Sequence, residues 1–165
     1  MSYHIYTTKG LVLSMRPWRE SDRIYNILTR DFGLIRTSVI GARKEQSKLR
    51  GALEPFTISS VSLVRGKEYW RATSVEYIKT IRAVPSIARP FALLEKLIQG
   101  EAPNPELFDS VEQAIQSAEV HDEMFEIGLV SKILYHLGYV KESDLTSDKK
   151  VLLKAINEGI QASHL

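Results

Sequence analysis

Hydrophobic and polar positions change their period once along the chain. Residues 10–81 carry apolar side chains at strand spacing, and beyond Ala83-Val84-Pro85 every apolar series recurs at helix spacing. Five runs in the first part predict strands, at 10–18, 23–31, 34–43, 56–65 and 68–81. The first alternates, setting Leu11, Leu13 and Met15 on one face and Val12, Ser14, Arg16 and Trp18 on the other. The second and third do not alternate strictly, as expected of curved strands covered in part on both faces. Between them Asp31-Phe32-Gly33 signals a turn, with glycine where a positive φ is needed. The fourth switches parity after Ser59-Ser60, which predicts a bulge or a corner, and Arg65-Gly66-Lys67 reads as a tight hairpin turn. The fifth is rich in Tyr, Trp, Thr, Val and Ile. Five strands with a long polar connection at 41–51 predict a small, strongly curved barrel of the OB type, and an SH3-like barrel reads much the same way.

The second part predicts four helices. The first, 90–99, carries Phe91, Leu94 and Ile98 with Leu93 and Leu97 beside them, and Gly100 ends it. Asn104-Pro105 supplies an N-cap followed by proline at the first helical position, after which Leu107, Val111 and Ile115 share a face through Ala118. His121-Asp122 introduces the longest helix, with Phe125, Leu129, Ile133 and Leu137 every fourth residue and Ile127, Val130 and Leu134 widening the stripe. A helix this apolar belongs at the centre of a bundle. After Gly138-Tyr139 and a loop at 143–147, an amphipathic helix at 148–162 carries Leu152, Leu153, Ile156 and Ile160. The expected architecture is α+β, a five-stranded barrel domain at 1–82 followed by a helical domain at 83–165.

Charge divides at the same place. The chain has 165 residues and a net charge of +2. Residues 1–82 hold 15 Lys or Arg against 7 Asp or Glu, a net +8, whereas residues 83–165 hold 7 against 13, a net −6. Such a split suggests a basic part facing phosphate and an acidic part facing water or protein. Between Arg16 and Phe56, nine Lys or Arg stand against five acids, and like charges on one loop repel unless a polyanion arrives or the loop is simply solvated. The candidate phosphate contacts are Arg16, Arg23, Arg36, Arg43, Lys44, Lys48, Arg50, Lys67 and Arg71. The candidate stacking rings are Trp18, Tyr25, Tyr69 and Trp70, although a barrel this small must bury some of them. Trp18 could alternatively cover a barrel edge.

Several chemistries find no support. With no cysteine, disulfides, thiolate zinc sites and a cysteine nucleophile are all excluded. The four histidines are scattered, and no Gly-rich phosphate loop, Gly-x-Ser-x-Gly elbow or His-Glu-x-x-His helix occurs. Glu20 and Asp22 could pair around Mg²⁺, but Arg19 and Arg23 flank them and favour local ion pairing. No apolar run approaches the roughly 20 residues that span a bilayer, and the N-terminus lacks a basic-then-apolar leader. A non-catalytic, cytoplasmic binding protein without cofactor is expected.

Glu20-Ser21-Asp22-Arg23, Leu28-Thr29, Gly33, Gly41-Ala42-Arg43, Ser47-Lys48-Leu49-Arg50-Gly51 and Leu53-Glu54-Pro55-Phe56 together resemble the RecO family of bacterial recombination mediators. Asn104-Pro105-Glu106-Leu107-Phe108 and Leu137-Gly138-Tyr139 are similar to that family's helical region, so the likeness runs from about Gly10 to Tyr139. The resemblance implies an N-terminal OB-fold and a C-terminal helical domain. It also implies binding to single-stranded and duplex DNA, strand annealing, help in recombinase loading during recombinational repair, and partnership with RecR and the single-stranded-DNA-binding protein SSB. Many members carry a four-cysteine zinc module after the Leu-Gly-Tyr segment; none is expected here. Because the tail of SSB is acidic and apolar, a site for it on the acidic helical part needs local lysines beside an apolar groove, and Lys132 and Lys154 are the candidates, with Lys96, Lys149 and Lys150 nearby in the pattern. Two other readings share these residues: an OB-type module for RNA, and an adaptor whose basic face binds acidic proteins.

Overall fold

The computed structural model describes residues 3–44, 47–49, 51–118 and 121–165. They form two compact units, one of residues 1–82 with 100–103 and one of residues 83–99 with 104–165. The first unit holds five strands, β1 (Tyr6–Trp18), β2 (Asp22–Thr29), β3 (Gly33–Val39), β4 (Thr57–Val64) and β5 (Trp70–Thr80), with a 3-10 turn at Gly51–Leu53 before β4. They close in the order β1-β2-β3-β5-β4. All pairings are antiparallel except β3 with β5, where Thr37 meets Trp70 and Ser38 meets Arg71. This is an OB-type barrel.

Inside it, Val12, Tyr25, Ile27, Ile35, Val39, Val61, Leu63, Trp70 and Ala72 form one buried cluster with Ala42 and Leu53. Two details of the first and fourth strands differ from the sequence pattern. The register of β1 against β2 shifts between Val12 and Ser14, so Leu13 is an extra residue and Met15 turns inward behind Val12 instead of joining Leu11. Unbroken alternation in the sequence hides this bulge because Leu13 is itself apolar and buried. The bulge expected at Ser59-Ser60 is absent from β4, whose pairing with β1 runs continuously from Tyr6↔Leu63 to Leu11↔Ile58. Ser59 fills an inward position with its hydroxyl donated to the Ala52 carbonyl at 2.6 Å, and the extra residues lie in β5, at Thr73 and Ile78.

Turns explain where the strands stop. Gly33 takes φ +73° after Asp31-Phe32, and the Thr29 hydroxyl closes that turn by donating to the Gly33 carbonyl at 2.8 Å. β3 ends at Val39, four residues short of the expected Arg43. Gly41 adopts φ +68°, its N–H donates to Asp22 Oδ1 at 2.8 Å, and the Arg43 N–H donates to the Ser21 carbonyl at 2.9 Å. The carboxylate of Asp22 therefore caps a turn, where local ion pairing was expected of it.

In the second unit α1 (Pro85–Leu97), α2 (Pro105–Ser117), α3 (Glu123–His136) and α4 (Lys149–Ala162) pack with α3 touching each of the others. Asn104 Oδ1 accepts the Leu107 N–H at 3.0 Å, so the predicted cap forms, and Asp122, expected to introduce α3 with His121, caps that helix by accepting the Phe125 N–H on Oδ1 at 2.9 Å. The first helix starts at Pro85, not at Pro90: Pro85 occupies the first turn, and Pro90 lies buried inside the helix at the loss of one backbone bond. The earlier start brings Ile87 into a core with Phe91, Leu94, Leu107, Phe108, Val111, Ile133, Leu134, Leu152 and Ile156. Leu153, expected on the buried face of α4, points outward. Among the described residues no helix is long and apolar enough to cross a membrane.

Candidate nucleic-acid interface

β1 and β2 are joined by a short turn through Arg19, Glu20 and Ser21, in which Arg19 takes φ +54°. β4 and β5 are joined by Arg65-Gly66-Lys67-Glu68-Tyr69. Both turns line one open groove of about 750 Å³, to which the β1–β2 corner contributes Trp18, Arg19 and Asp22 and the β4–β5 connection with the start of β5 contributes Arg65, Lys67, Glu68, Tyr69 and Arg71. Ser38, Ile40, Tyr3, Val64 and Gly66 complete the lining. In OB-type barrels the β2–β3 face with these same two connections is the place where oligonucleotides and oligosaccharides sit.

Charge and rings are arranged together there. Arg19, Arg65, Lys67 and Arg71 stand against Asp22 and Glu68, and the Asp22 carboxylate already receives a backbone N–H. Trp18 and Tyr69, both lining the groove, meet edge to face with 5.6 Å between ring centroids. The Arg16 guanidinium lies 5.6 Å from the Trp18 ring. Lys67 and Arg71 are exposed and have no carboxylate partner among the described residues.

The other sequence candidates fall at varied distances from this groove. Arg36 is exposed on the outer face of β3, opposite Asn26. Arg43 and Lys44 are exposed in the turn after β3, which leans on Ser21 through the Arg43 N–H. Lys48 is exposed further along the same connection, next to Leu49, which packs on the barrel core. Arg23 is occupied by Glu54 at 3.5 Å, and its side chain is only 17% exposed. Arg50 lies outside the described residues. Two stacking candidates are corrected: Tyr25 and Trp70 are buried in the barrel core and cannot meet a base. Tyr25 packs among Val12, Ile27 and Ile35 because a barrel interior needs its volume.

Sequence reasoning overlooked Arg65. Its Nη1 donates to Glu101 Oε2 at 2.7 Å, and its guanidinium carbon stands 4.1 Å from the centroid of the Trp70 ring. The same carboxylate accepts the Trp70 indole N–H through Oε1 at 2.9 Å. Glu101 belongs to residues 100–103, which return to the barrel, where Gly33 leaves room for the Ala102 carbonyl. The only pointer to Arg65 in the sequence was its place in the hairpin turn.

In the helical unit, Lys132 is exposed on α3 and Lys154 is exposed on α4, 3.9 Å from Glu158. Arg89 of α1 makes a two-pronged contact with Glu126 of α3, Nε donating to Oε1 at 2.6 Å and Nη2 to Oε2. These hydrogen bonds, opposed by partial burial and helped by the charge of Arg89, hold the Glu126 carboxyl below the usual carboxylate range. Among the described residues no cluster of three or more His, Asp or Glu could hold a metal ion.

An OB-type barrel with a cationic, ring-bearing groove between its β1–β2 and β4–β5 turns, followed by a helical unit, is the class of protein this chain represents. Residues 1–81 match the family described as Recombination protein O N terminal. The chain is 38% identical over 102 residues to the DNA repair protein RecO of a Synechococcus species, covering 57% of this chain and 35% of that one. It is 30% identical over 139 residues to the RecO of a Cyanothece species, covering 80% and 47%, and 28% identical over 149 residues to that of Rubrobacter xylanophilus, covering 85% and 60%. The chain belongs to the RecO family. It spans between about a third and three fifths of the length of these curated relatives.

Proposed function

We propose that the barrel binds single-stranded DNA along the groove between its β1–β2 and β4–β5 turns, and that the protein acts as a non-catalytic mediator of recombinational DNA repair. The observation that carries this reading is the pairing of Trp18 with Tyr69 among Arg19, Arg65, Lys67 and Arg71. Flat rings accept any base, and the exposed cations Lys67 and Arg71, without a carboxylate partner among the described residues, neutralise successive phosphates, so affinity is gained without sequence readout. Arg16, Arg36, Arg43, Lys44 and Lys48 extend the positive surface of this half for a longer strand or for duplex phosphates. Annealing then needs no bond chemistry: two strands are held with their repulsion screened while base edges stay free to pair. The names of the relatives, DNA repair proteins RecO, support a role in repair. Strand annealing and recombinase loading in the cytoplasm, with RecR and SSB as partners, follow from the family resemblance.

The test is binding to single-stranded DNA, duplex DNA and RNA at two salt concentrations, combined with annealing of complementary strands. The reading predicts steep salt dependence, a preference for single-stranded DNA and faster annealing. Tighter binding to RNA, or saturation by a short acidic peptide that displaces DNA, would favour an RNA module or a protein adaptor. For the partner surface, a peptide copying the acidic, apolar SSB tail should bind the protein and lose that binding when Lys132 and Lys154 are both changed to Glu. Equal binding by the double variant would remove α3 and α4 as its site.

A further inference from the structure

Arg65 differs from every other cation in the groove in being held on two sides. Its Nη1 is tied to Glu101 at 2.7 Å, and its guanidinium lies over the Trp70 ring at 4.1 Å. Glu101 is itself fixed by the Trp70 indole N–H at 2.9 Å, and Trp70 is fixed in turn by Tyr6 and Phe32, at 5.6 and 5.2 Å between centroids. The chain of contacts leads from the barrel core to the groove wall and ends on a planar cation whose side chain is 61% exposed. Lys67 and Arg71 have no such restraint among the described residues.

We infer that Arg65 is a stacking platform for a base, positioned by Glu101 and Trp70, and not a phosphate contact. This deepens, and rests on, the reading of the groove as a site for single-stranded DNA. Two physical points carry it. The Glu101 carboxylate already offsets the charge that a phosphate would use, so Arg65 has less to offer a polyanion than its unpaired neighbours. What the clamp leaves intact is the flat guanidinium face, fixed in orientation, and a fixed plane stacks on a base with less loss of side-chain freedom than a mobile one. Guanidinium planes serve in this way where single-stranded bases are splayed out. A lysine at this position could keep the contact with Glu101, but it has no plane to offer.

The experiment compares two ligands of equal length, an oligothymidylate and a backbone built wholly of abasic units. Arg65→Lys should weaken binding of the oligothymidylate by roughly three- to fivefold, the scale of a cation–ring contact, and leave binding of the abasic strand unchanged. Glu101→Gln keeps an acceptor for the Trp70 indole but frees the guanidinium. It should steepen the salt dependence for both ligands by about 0.7 in log affinity against log salt, the value of one added single-strand contact. Unchanged melting temperatures confirm that both variants are folded. Equal weakening of both ligands by Arg65→Lys, or of neither, overturns the platform, and an unaltered salt dependence in Glu101→Gln overturns its positioning by Glu101. Failure of the unsubstituted protein to bind either ligand would instead refute the groove reading itself.

Discussion

Replacing Lys67 and Arg71 together by Gln removes two unpaired charges from one wall of the groove without touching the core. Both side chains are exposed and neither has an ion-pair partner among the described residues. Stability should therefore stay within about 0.5 kcal/mol, as for surface substitutions in general. Binding should not. Each phosphate neutralised on a single strand contributes about 0.7 to the slope of log affinity against log salt, so losing two contacts flattens that slope by about 1.4. Extrapolated from about 1 M salt, where the counterion contribution vanishes, the same 1.4 amounts to roughly 25-fold weaker binding at about 0.1 M. Fluorescence anisotropy of a labelled oligonucleotide at four or more salt concentrations measures both quantities. A double change of Lys141 and Lys150 to Gln, both exposed in the helical unit, is the control and should leave the slope as it was. A Lys67/Arg71 variant that binds with an unaltered slope, or a control that flattens equally, refutes the reasoning.

Arg43 and Lys44, exposed in the turn after β3, should act as phosphate contacts without base preference, so changing both to Gln lowers affinity for every sequence alike and flattens the salt slope; an unchanged slope would remove them from the path. Gly33→Ala should destabilise the protein by about 2 kcal/mol or more, because φ +73° strains an L-residue and the new Cβ would fall 2.4 Å from the Ala102 carbonyl oxygen. A urea midpoint equal to that of the unsubstituted protein would contradict this. Glu126→Gln tests the α1–α3 ion pair: Arg89 lowers the folded-state pKa of Glu126, so the stabilisation is complete above the unfolded carboxyl pKa of about 4.3 and is lost as pH falls through the depressed value. The stability gap between the two proteins should be open at neutral pH and close in acid, and a gap independent of pH would show that the contact contributes nothing through its charge.

Features governed by local chemistry were legible from residues alone. Asn104-Pro105 and Asp122 announce helix starts because a side-chain acceptor must meet an orphan N–H, and both do. Gly33 announces its turn through its positive φ. What escaped the sequence depends on partners distant along the chain. The β1 bulge at Leu13 is invisible because the extra residue is apolar and preserves the alternation. Pro90 looks like a helix start and is instead an interior proline, tolerated because the turn before it buries Ile87. Tyr25 and Trp70 have the same composition signal as Trp18 and Tyr69, and only the closed barrel decides that the first two face inward and the second two line the groove. The Arg65 clamp depends on Glu101, which comes back to the barrel after the whole of α1.

Ultraviolet cross-linking of a bromouracil-substituted oligonucleotide to the intact protein, followed by mass spectrometry of the joined peptides, tests the path of the strand most directly. The account predicts adducts on Trp18 and Tyr69, abolished by excess unlabelled single-stranded DNA and reduced in the Lys67/Arg71 variant. Adducts confined to Tyr77 on the far part of β5, or to tyrosines of the helical unit, with Trp18 and Tyr69 untouched, would contradict it.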